Sequence, residues 1–111
     1  MIEKIVRDFL KCRLDEKVYM EEEERMPEEY VLIEKTGSSR ENYIEKAVLA
    51  IQSYAESLQG AAELNERVKA AMERIIELPD ISRCELNTDY NYTDTKRKKY
   101  RYQAVFDIVY Y

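Results

Sequence analysis

The chain has 111 residues, enough for one domain with a single modest hydrophobic core. Its 23 acidic residues outnumber its 18 basic ones, and the net charge of −5 disfavours general nucleic-acid binding, which needs a basic surface. Histidine is absent, so the commonest general base and the commonest metal ligand are both missing.

The two cysteines and the lack of long apolar segments indicate a cytoplasmic protein. Cys12 and Cys84 have no metal-like spacing, and two thiols do not make a disulfide scaffold, so we expect free thiols in a reducing compartment. The residues that follow Met1 lack the charged start and apolar run of a signal peptide. No apolar segment approaches the ~20 residues that span a bilayer, so we expect no membrane partner.

The first thirty residues predict a short helix, a short strand and an acidic loop. Apolar residues at helical spacing up to Cys12 indicate the helix, and Lys17–Met20 is the strand. Four adjacent carboxylates follow: Glu21, Glu22, Glu23 and Glu24. They repel one another, and Pro27 disfavours helix, so we interpret residues 21–29 as an exposed loop. A cation site is the alternative, although calcium loops space their oxygen ligands around a glycine.

The next segment predicts a β-hairpin. Tyr30–Thr36 is rich in β-forming residues and indicates a strand. Residues 37–42 have loop composition, and a second strand from Tyr43 to Tyr54 returns from that loop. Apolar side chains alternate onto both faces of the second strand. This pattern is typical of a central strand covered on two sides, by helices or by a partner subunit.

The longest helix is predicted over Leu58–Glu77, and Pro79 ends it. Its apolar stripe follows the 3.6-residue period: Leu58, Ala61, Leu64, Val68, Ala71, Met72, Ile75 and Ile76. Ser53, in a capping-box pattern, and Ser57 are the candidate N-caps. Two i,i+4 ion pairs are expected on the helix surface: Glu63–Arg67 and Lys69–Glu73. Asn65 borders the stripe and has two interpretations, a hydrogen bond to a backbone group at a sheet edge or to a neighbouring chain.

The last thirty residues predict two strands joined by a basic turn. Residues 81–92 alternate clearly, and one predicted face carries Cys84, Leu86, Thr88, Tyr90 and Tyr92. Asp94 suits a turn in which its side chain accepts a hydrogen bond from a backbone amide further along the chain. A basic run follows it: Lys96, Arg97, Lys98 and Lys99. The last strand is Tyr100–Tyr110.

Together these elements predict one α+β domain over residues 1–111. A mixed or antiparallel sheet of four to five strands is expected to carry the long helix, about 58–77, across one face, with the short N-terminal helix beside it. The chain has no nucleophile–base pair, phosphate-binding loop, dinucleotide fingerprint or zinc spacing. We therefore predict no catalysis, no cofactor and no bound metal.

Two features point to an interaction surface. The chain has ten tyrosines and no tryptophan, and the tyrosines concentrate near its end: Tyr90, Tyr92, Tyr100 and Tyr102. Tyrosine suits protein interfaces, while a half-buried ladder across one hairpin is the alternative. The acidic run Glu21–Glu24 and the basic run Lys96–Lys99 also form opposite patches on one subunit. Such patches suit a head-to-tail, ring-forming interface, with a solvated hairpin turn as the alternative.

Four segments resemble a family of small tail-completion proteins of siphophages and prophages: Glu29–Gly37, Ala50–Ala55, Ala61–Val68 and Tyr100–Asp107. They are similar to the minor tail, or tail-terminator-like, proteins of Firmicute phages, and the resemblance covers most of the chain from Val18 onward. It implies an α+β fold and a homomeric ring, expected to be a hexamer, at the head-proximal end of the tail tube. The implied partners are tail tube and neck proteins, first in the host cytoplasm and then in the virion tail.

The resemblance rests on fold motifs and supplies no active-site residues. A head–tail joining protein of the neck is the alternative that it leaves open. A small peptide- or ligand-binding module that uses the tyrosine-rich face is a second alternative, and an enzyme ranks last.

Overall fold

The chain forms two α-helices and five strands, and the computed structural model describes residues 1–111. The elements in chain order are α1 (Ile2–Lys11), β1 (Lys17–Tyr19), β2 (Tyr30–Glu41), β3 (Ile44–Ala55), α2 (Leu58–Met72), a 3₁₀ turn (Ile75–Glu77), β4 (Ile81–Asn91) and β5 (Tyr100–Tyr110). The five strands form one sheet in the order β1-β2-β3-β5-β4. The β1–β2 pair is parallel and the other pairs are antiparallel, so the predicted α+β fold with one mixed sheet is confirmed.

Both helices cover the same face of the sheet, and the core lies between them and the strands. α2 crosses β3 and β5, whereas α1 covers β1 and β2. The core side chains come from both helices and from alternate strand positions, among them Val6, Leu10, Ile33, Leu49, Ile51, Leu64, Val68, Met72, Phe106 and Ile108. The other face of the sheet carries no helix, and below it is called the open face. β3 is the central strand, as predicted, but helices cover it on one side alone.

α2 begins at Leu58, as predicted, and the predicted helical span 58–77 is confirmed, although the helix is bent. Ser57, one of the two candidate N-caps, is its N-cap, with Oγ accepting a hydrogen bond from the Gly60 amide at 3.0 Å. The regular α-helix ends at Met72. The chain tightens into the 3₁₀ turn, which buries Ile75 completely and leaves Ile76 56% exposed.

The β2–β3 hairpin is longer than the sequence indicates, because residues 37–41 continue β2 instead of forming a loop. The connection is the two-residue turn Asn42–Tyr43, whose φ angles are 51° and 65°. Positive φ at both positions is the pattern of a type I′ turn, whose twist matches that of the flanking strands. A register shift at Thr36, between Lys35 and Gly37, takes up the extra residue.

The β4–β5 ladder has two register shifts, and the second of them changes the faces of β4. They lie between Ile81 and Arg83 and between Leu86 and Thr88, so Ser82 and Asn87 have no direct partner. Cys84 and Leu86 pair with core residues on the helix side. After the shift Tyr90 pairs with Gln103 on the open face. The predicted single face of β4 is therefore wrong, because one extra residue reverses the alternation along the rest of the strand.

Candidate functional site

The open face holds a row of hydrogen-bonded polar side chains that crosses three strands. Tyr54 Oη donates to Gln52 Oε1 at 3.0 Å, and Gln52 Nε2 donates to Gln103 Oε1 at 2.8 Å. Gln103 Nε2 donates in turn to Tyr90 Oη. Gln52 and Gln103 are 6% and 9% exposed, so their amides depend on these partners. The row fixes the lateral positions of β3, β5 and β4 on this face.

Arg101 connects this row to the base of the β4–β5 turn. Its Nη1 donates to Tyr54 Oη at 2.9 Å, and its Nε donates to the Tyr92 carbonyl oxygen at 2.6 Å. Its guanidinium carbon also lies 4.4 Å from the centre of the Tyr92 ring. One side chain therefore anchors both the backbone and an aromatic ring where the turn begins.

Two stacked tyrosines form the floor beside Arg101. The rings of Tyr30 and Tyr54 lie 4.4 Å apart at an interplanar angle of 10°, and Tyr19 meets Tyr30 edge-on. Burial raises the pKa of Tyr30 and, together with it, the pKa of Tyr54 above the usual tyrosine value, which favours the neutral hydroxyl in both. The pair offers a rigid, uncharged aromatic floor.

The turn between β4 and β5 is a preformed basic tip, here defined as Lys96–Lys99. Asp94 Oδ1 accepts hydrogen bonds from the Lys96 and Arg97 amides at 3.1 and 3.2 Å, which confirms the predicted Asp94 turn. All four basic side chains are exposed. The nearest carboxylate to Arg97 is that of Asp94, at 4.0 Å. The tip thus has a fixed backbone and projects its charges into solvent.

The acidic loop, Glu21–Glu24, is exposed as predicted, but its residues face two different clefts. Glu22, Glu23 and Glu24 line a cleft of about 510 Å³ whose opposite wall includes Lys98 and Lys99 of the same chain. The floor of that cleft includes Tyr30 and Tyr54. Glu21 and Glu23 line a second cleft, beside α1. No ion pair joins the acidic loop to the basic tip within the chain.

The two charged segments lie at the same end of the sheet but belong to opposite sides of it. The acidic loop connects β1 and β2, which are first and second in the sheet order, and the basic tip connects β5 and β4, which are fourth and fifth. Tyr30 at the start of β2 pairs with Tyr54, and Tyr54 pairs with Arg101 next to the tip. The two segments therefore start from strands on opposite sides of the sheet, but they reach the same end of the domain, where both line one cleft.

The predicted tyrosine face is divided between the two sides of the sheet. Tyr90 and Tyr92 lie together on the open face, with ring centres 5.7 Å apart. Tyr102 and Tyr100 pair with Ser53 and Ala55, on the helix side. Sequence reasoning missed the other participants, which lie in β1, β2, β3 and β5: Tyr19, Tyr30, Gln52, Tyr54, Arg101 and Gln103. The two glutamines are polar residues within otherwise apolar strands, and this is the signal in the sequence that could have indicated the hydrogen-bonded row.

The helix side of β4 carries a second polar contact. Asn65 is 1% exposed, and its Nδ2 donates to Asp89 Oδ2 at 2.9 Å, so its partner on the edge strand is a side chain and the predicted backbone partner is wrong. Lys69 Nζ lies 2.9 Å from the same oxygen. The two expected i,i+4 pairs do not form, since Lys69 pairs with Glu66 and Asp89, and Arg67 pairs with Glu16. These contacts attach the edge strand and the residues before β1 to α2.

Three further findings describe the chain as a whole. Across all 111 residues, no cluster of three or more carboxylate or thiol side chains is arranged to hold a metal ion. Neither helix has the length and apolar composition needed to cross a membrane. No protein-family model and no curated protein matches the chain.

Proposed function

We propose that this protein is a structural subunit of a phage or prophage tail, of the tail-terminator or tail-completion type. It assembles into a homomeric ring at the head-proximal end of the tail tube. The resemblance supports this proposal, because its four segments fall in β2, β3, α2 and β5. These elements build the framework of the domain, as expected for a protein that acts by its shape.

The observation that carries the proposal is the placement of the two charged segments. The acidic loop and the basic tip connect strands on opposite sides of the sheet and meet at one end of the domain, where they line the same cleft without forming an ion pair within the chain. When copies stand side by side, the tip of one faces the acidic loop of the next. Such a contact is heterologous, because it joins two different surfaces of the subunit. It closes into a ring when a whole number of identical rotations from copy to copy adds up to 360°. The opposite charges act mainly on the rate of encounter and on the register of the two copies.

The test is the mass of the protein in solution, measured by light scattering against concentration, with and without purified tail-tube protein. We expect a discrete species near six times the 13.3 kDa chain mass. We also expect it to weaken as salt rises to ~0.5 M, where screening lengths fall below ~5 Å. A monomer at every concentration and salt, with or without the tube protein, would contradict the proposal.

The cleft between the two charged segments favours a second candidate, a peptide-binding module. It has about 510 Å³ of space above a tyrosine floor, with carboxylates on one wall and ammonium groups on the other. A module of this kind would bind short peptides as a monomer, so the mass measurement separates the two functions. The neck-protein alternative is separated by replacing the tube protein with neck proteins in the same experiment.

A further inference from the structure

Both sides of the sheet end in strands with unpaired backbone groups. β4 is the last strand, and its outer edge has no neighbour. On the opposite side, β1 pairs only with Tyr30–Leu32, so the outer edge of β2 is free from Ile33 to Glu41. Residues 34–41 of β2 are exposed or half-buried, and so are residues 82–91 of β4. Exposed strand edges are sites where a second chain can add a strand.

The direction of the two free edges is compatible with pairing between copies. β2 is antiparallel to β3, β3 to β5, and β5 to β4, so β4 runs antiparallel to β2. A neighbouring copy that is rotated about an axis roughly along the strands keeps its strand directions. It therefore presents β4 to β2 in the antiparallel sense.

The heights of the two edges also agree. Ile33 is level with Asp89 through Ile51 and Ala104, and Arg40 is level with Ile81 through Glu45 and Tyr110. The segments Ile33–Arg40 and Ile81–Asp89 thus cover the same length of sheet. One register shift on each edge, at Thr36 and at Asn87, falls next to the same Leu49–Phe106 cross-strand pair, and β4 has another shift at Ser82 that β2 lacks. The two edges therefore share one height at which their twist changes.

We propose that β4 of one copy pairs antiparallel with the Ile33–Arg40 segment of β2 in the next copy, so that the sheet continues from subunit to subunit. The inference rests on the proposed ring and names its main contact. β1 occupies the edge of β2 as far as Leu32, and the same levels place the neighbour's Tyr90 and Asn91 beside Leu32 and Val31, so the incoming chain leaves the edge of β2 after Asp89. The basic tip, which extends beyond β4, then lies against β1 and the acidic loop of the neighbour. Edge pairing and charge complementarity thus require the same arrangement.

Engineered disulfides test this register directly. Ser39 and Arg83 are level with each other through Lys46 and Val109, and both are exposed. Opposed residues of an antiparallel pair have Cα atoms ~4.5–5.5 Å apart, within disulfide range. The background carries Cys12→Ser and Cys84→Ser, and the test pair is Ser39→Cys with Arg83→Cys. After mild oxidation, a non-reducing gel should show a ladder of cross-linked oligomers whose largest band has the mass of the ring. Ser39→Cys with Glu85→Cys, displaced by two residues, is the matched control.

Hydrogen exchange supplies a second readout on the unmodified protein. Tyr92 N donates inward to Arg101 O at 2.8 Å, so by alternation the Asp89 amide points to the free edge. Its exchange should slow at least tenfold in the ring, whereas the amide of Tyr43 in the hairpin turn should not change. A species of ring mass that shows neither a ladder from the Ser39–Arg83 cysteine pair nor Asp89 protection overturns the edge pairing and leaves the ring proposal standing, and a ladder from the control pair alone contradicts the proposed register. A gel ladder with no largest band indicates open filaments, which would support edge pairing and contradict the ring. A protein that stays monomeric overturns both.

Discussion

Arg101 donates a hydrogen bond of 2.9 Å from Nη1 to Tyr54 Oη, and this contact ties β5 to β3 beside the basic tip. The same guanidinium holds the Tyr92 carbonyl and packs over the Tyr92 ring. A planar group with several fixed donors can make these contacts together, and a lysine ammonium cannot reproduce them. Arg101 therefore holds the start of the tip against the sheet.

Replacing Arg101 with Lys should loosen the basic tip while preserving its charge. The tip contains the trypsin sites Lys96–Lys99, and their cleavage in the folded protein reports local opening. We expect at least tenfold faster cleavage within the tip for Arg101→Lys. Arg83→Lys is the control, because the ion pair of Arg83 is made with nearby Glu85 on the exposed edge strand. Equal cleavage rates in Arg101→Lys and the parent would show that Arg101 does not hold the tip.

Two serines near the start of α2 should respond oppositely to alanine substitution. Ser57 caps the helix, so Ser57→Ala should lower the free energy of unfolding by about 1 kcal/mol. Ser53 Oγ is buried without a hydrogen-bond partner, so Ser53→Ala should leave stability unchanged or raise it. Urea denaturation of both variants checks the pair. A larger loss from Ser53→Ala would contradict the capping assignment.

The packing of α2 is tested by a charge at its buried face. Val68 is fully buried, and an unpaired carboxylate there should cost about 3–5 kcal/mol, a large part of the roughly 5–15 kcal/mol that stabilises a typical domain. Ala70, two residues further along, is exposed, and Ala70→Asp should change stability by less than about 0.5 kcal/mol. Thermal melts followed by circular dichroism compare the two. A Val68→Asp protein that melts like the parent would refute the core assignment.

The pair between Glu16 and Arg67 predicts a weak loss of stability in acid. Arg67 donates two hydrogen bonds to the Glu16 carboxylate, at 2.8 and 2.7 Å, and these lower the pKa of Glu16 from 4.5. Because the folded pKa is the lower one, the stabilisation is complete above pH 4.5 and disappears as the pH falls through the folded pKa. Arg67 is 48% exposed, so screening limits the effect to on the order of 0.5 kcal/mol.

The measurement is urea denaturation at pH 6 and pH 3 for the parent and for Glu16→Gln. The variant should lose less stability between the two pH values, because it has no carboxylate to protonate at this position. Glu63→Gln, on the exposed surface of the same helix, is the control and should keep the parent's pH dependence. Identical slopes for the parent and Glu16→Gln would rule out a contribution from this pair.

Charge reversal of the basic tip should separate assembly from folding. Glu at positions 96, 97, 98 and 99 should leave the melting temperature nearly unchanged, since all four side chains are exposed. The same change should block assembly, because the tip would repel the acidic loop of the next copy. Replacing Glu21–Glu24 with Lys in the reversed protein should restore assembly. If the reversed protein alone still forms normal rings or tails, the basic tip is a solvated turn with no role in assembly.

Local chemistry in the sequence determined most of the elements. The apolar stripe of α2, the β-forming run from Tyr30 and the turn at Asp94 each depend on residues close together in the chain. For the same reason the acidic loop and the basic tip could be recognised as exposed charged segments. The exact ends of the helices and strands were harder to predict from the sequence. The regular α-helix of α2 ends at Met72, and β2 continues through a stretch of loop composition.

The tertiary structure alone decided which of these features meet. The shift at Asn87 moved Tyr90 and Tyr92 to the open face, away from Tyr100 and Tyr102. Arg67 forms its ion pair with Glu16, which is 51 residues away in the sequence, instead of with the expected Glu63. A register shift and a long-range ion pair depend on the relative energies of whole strands and helices packed together. Spacing along the chain does not contain that information, because residues distant in sequence supply the partners.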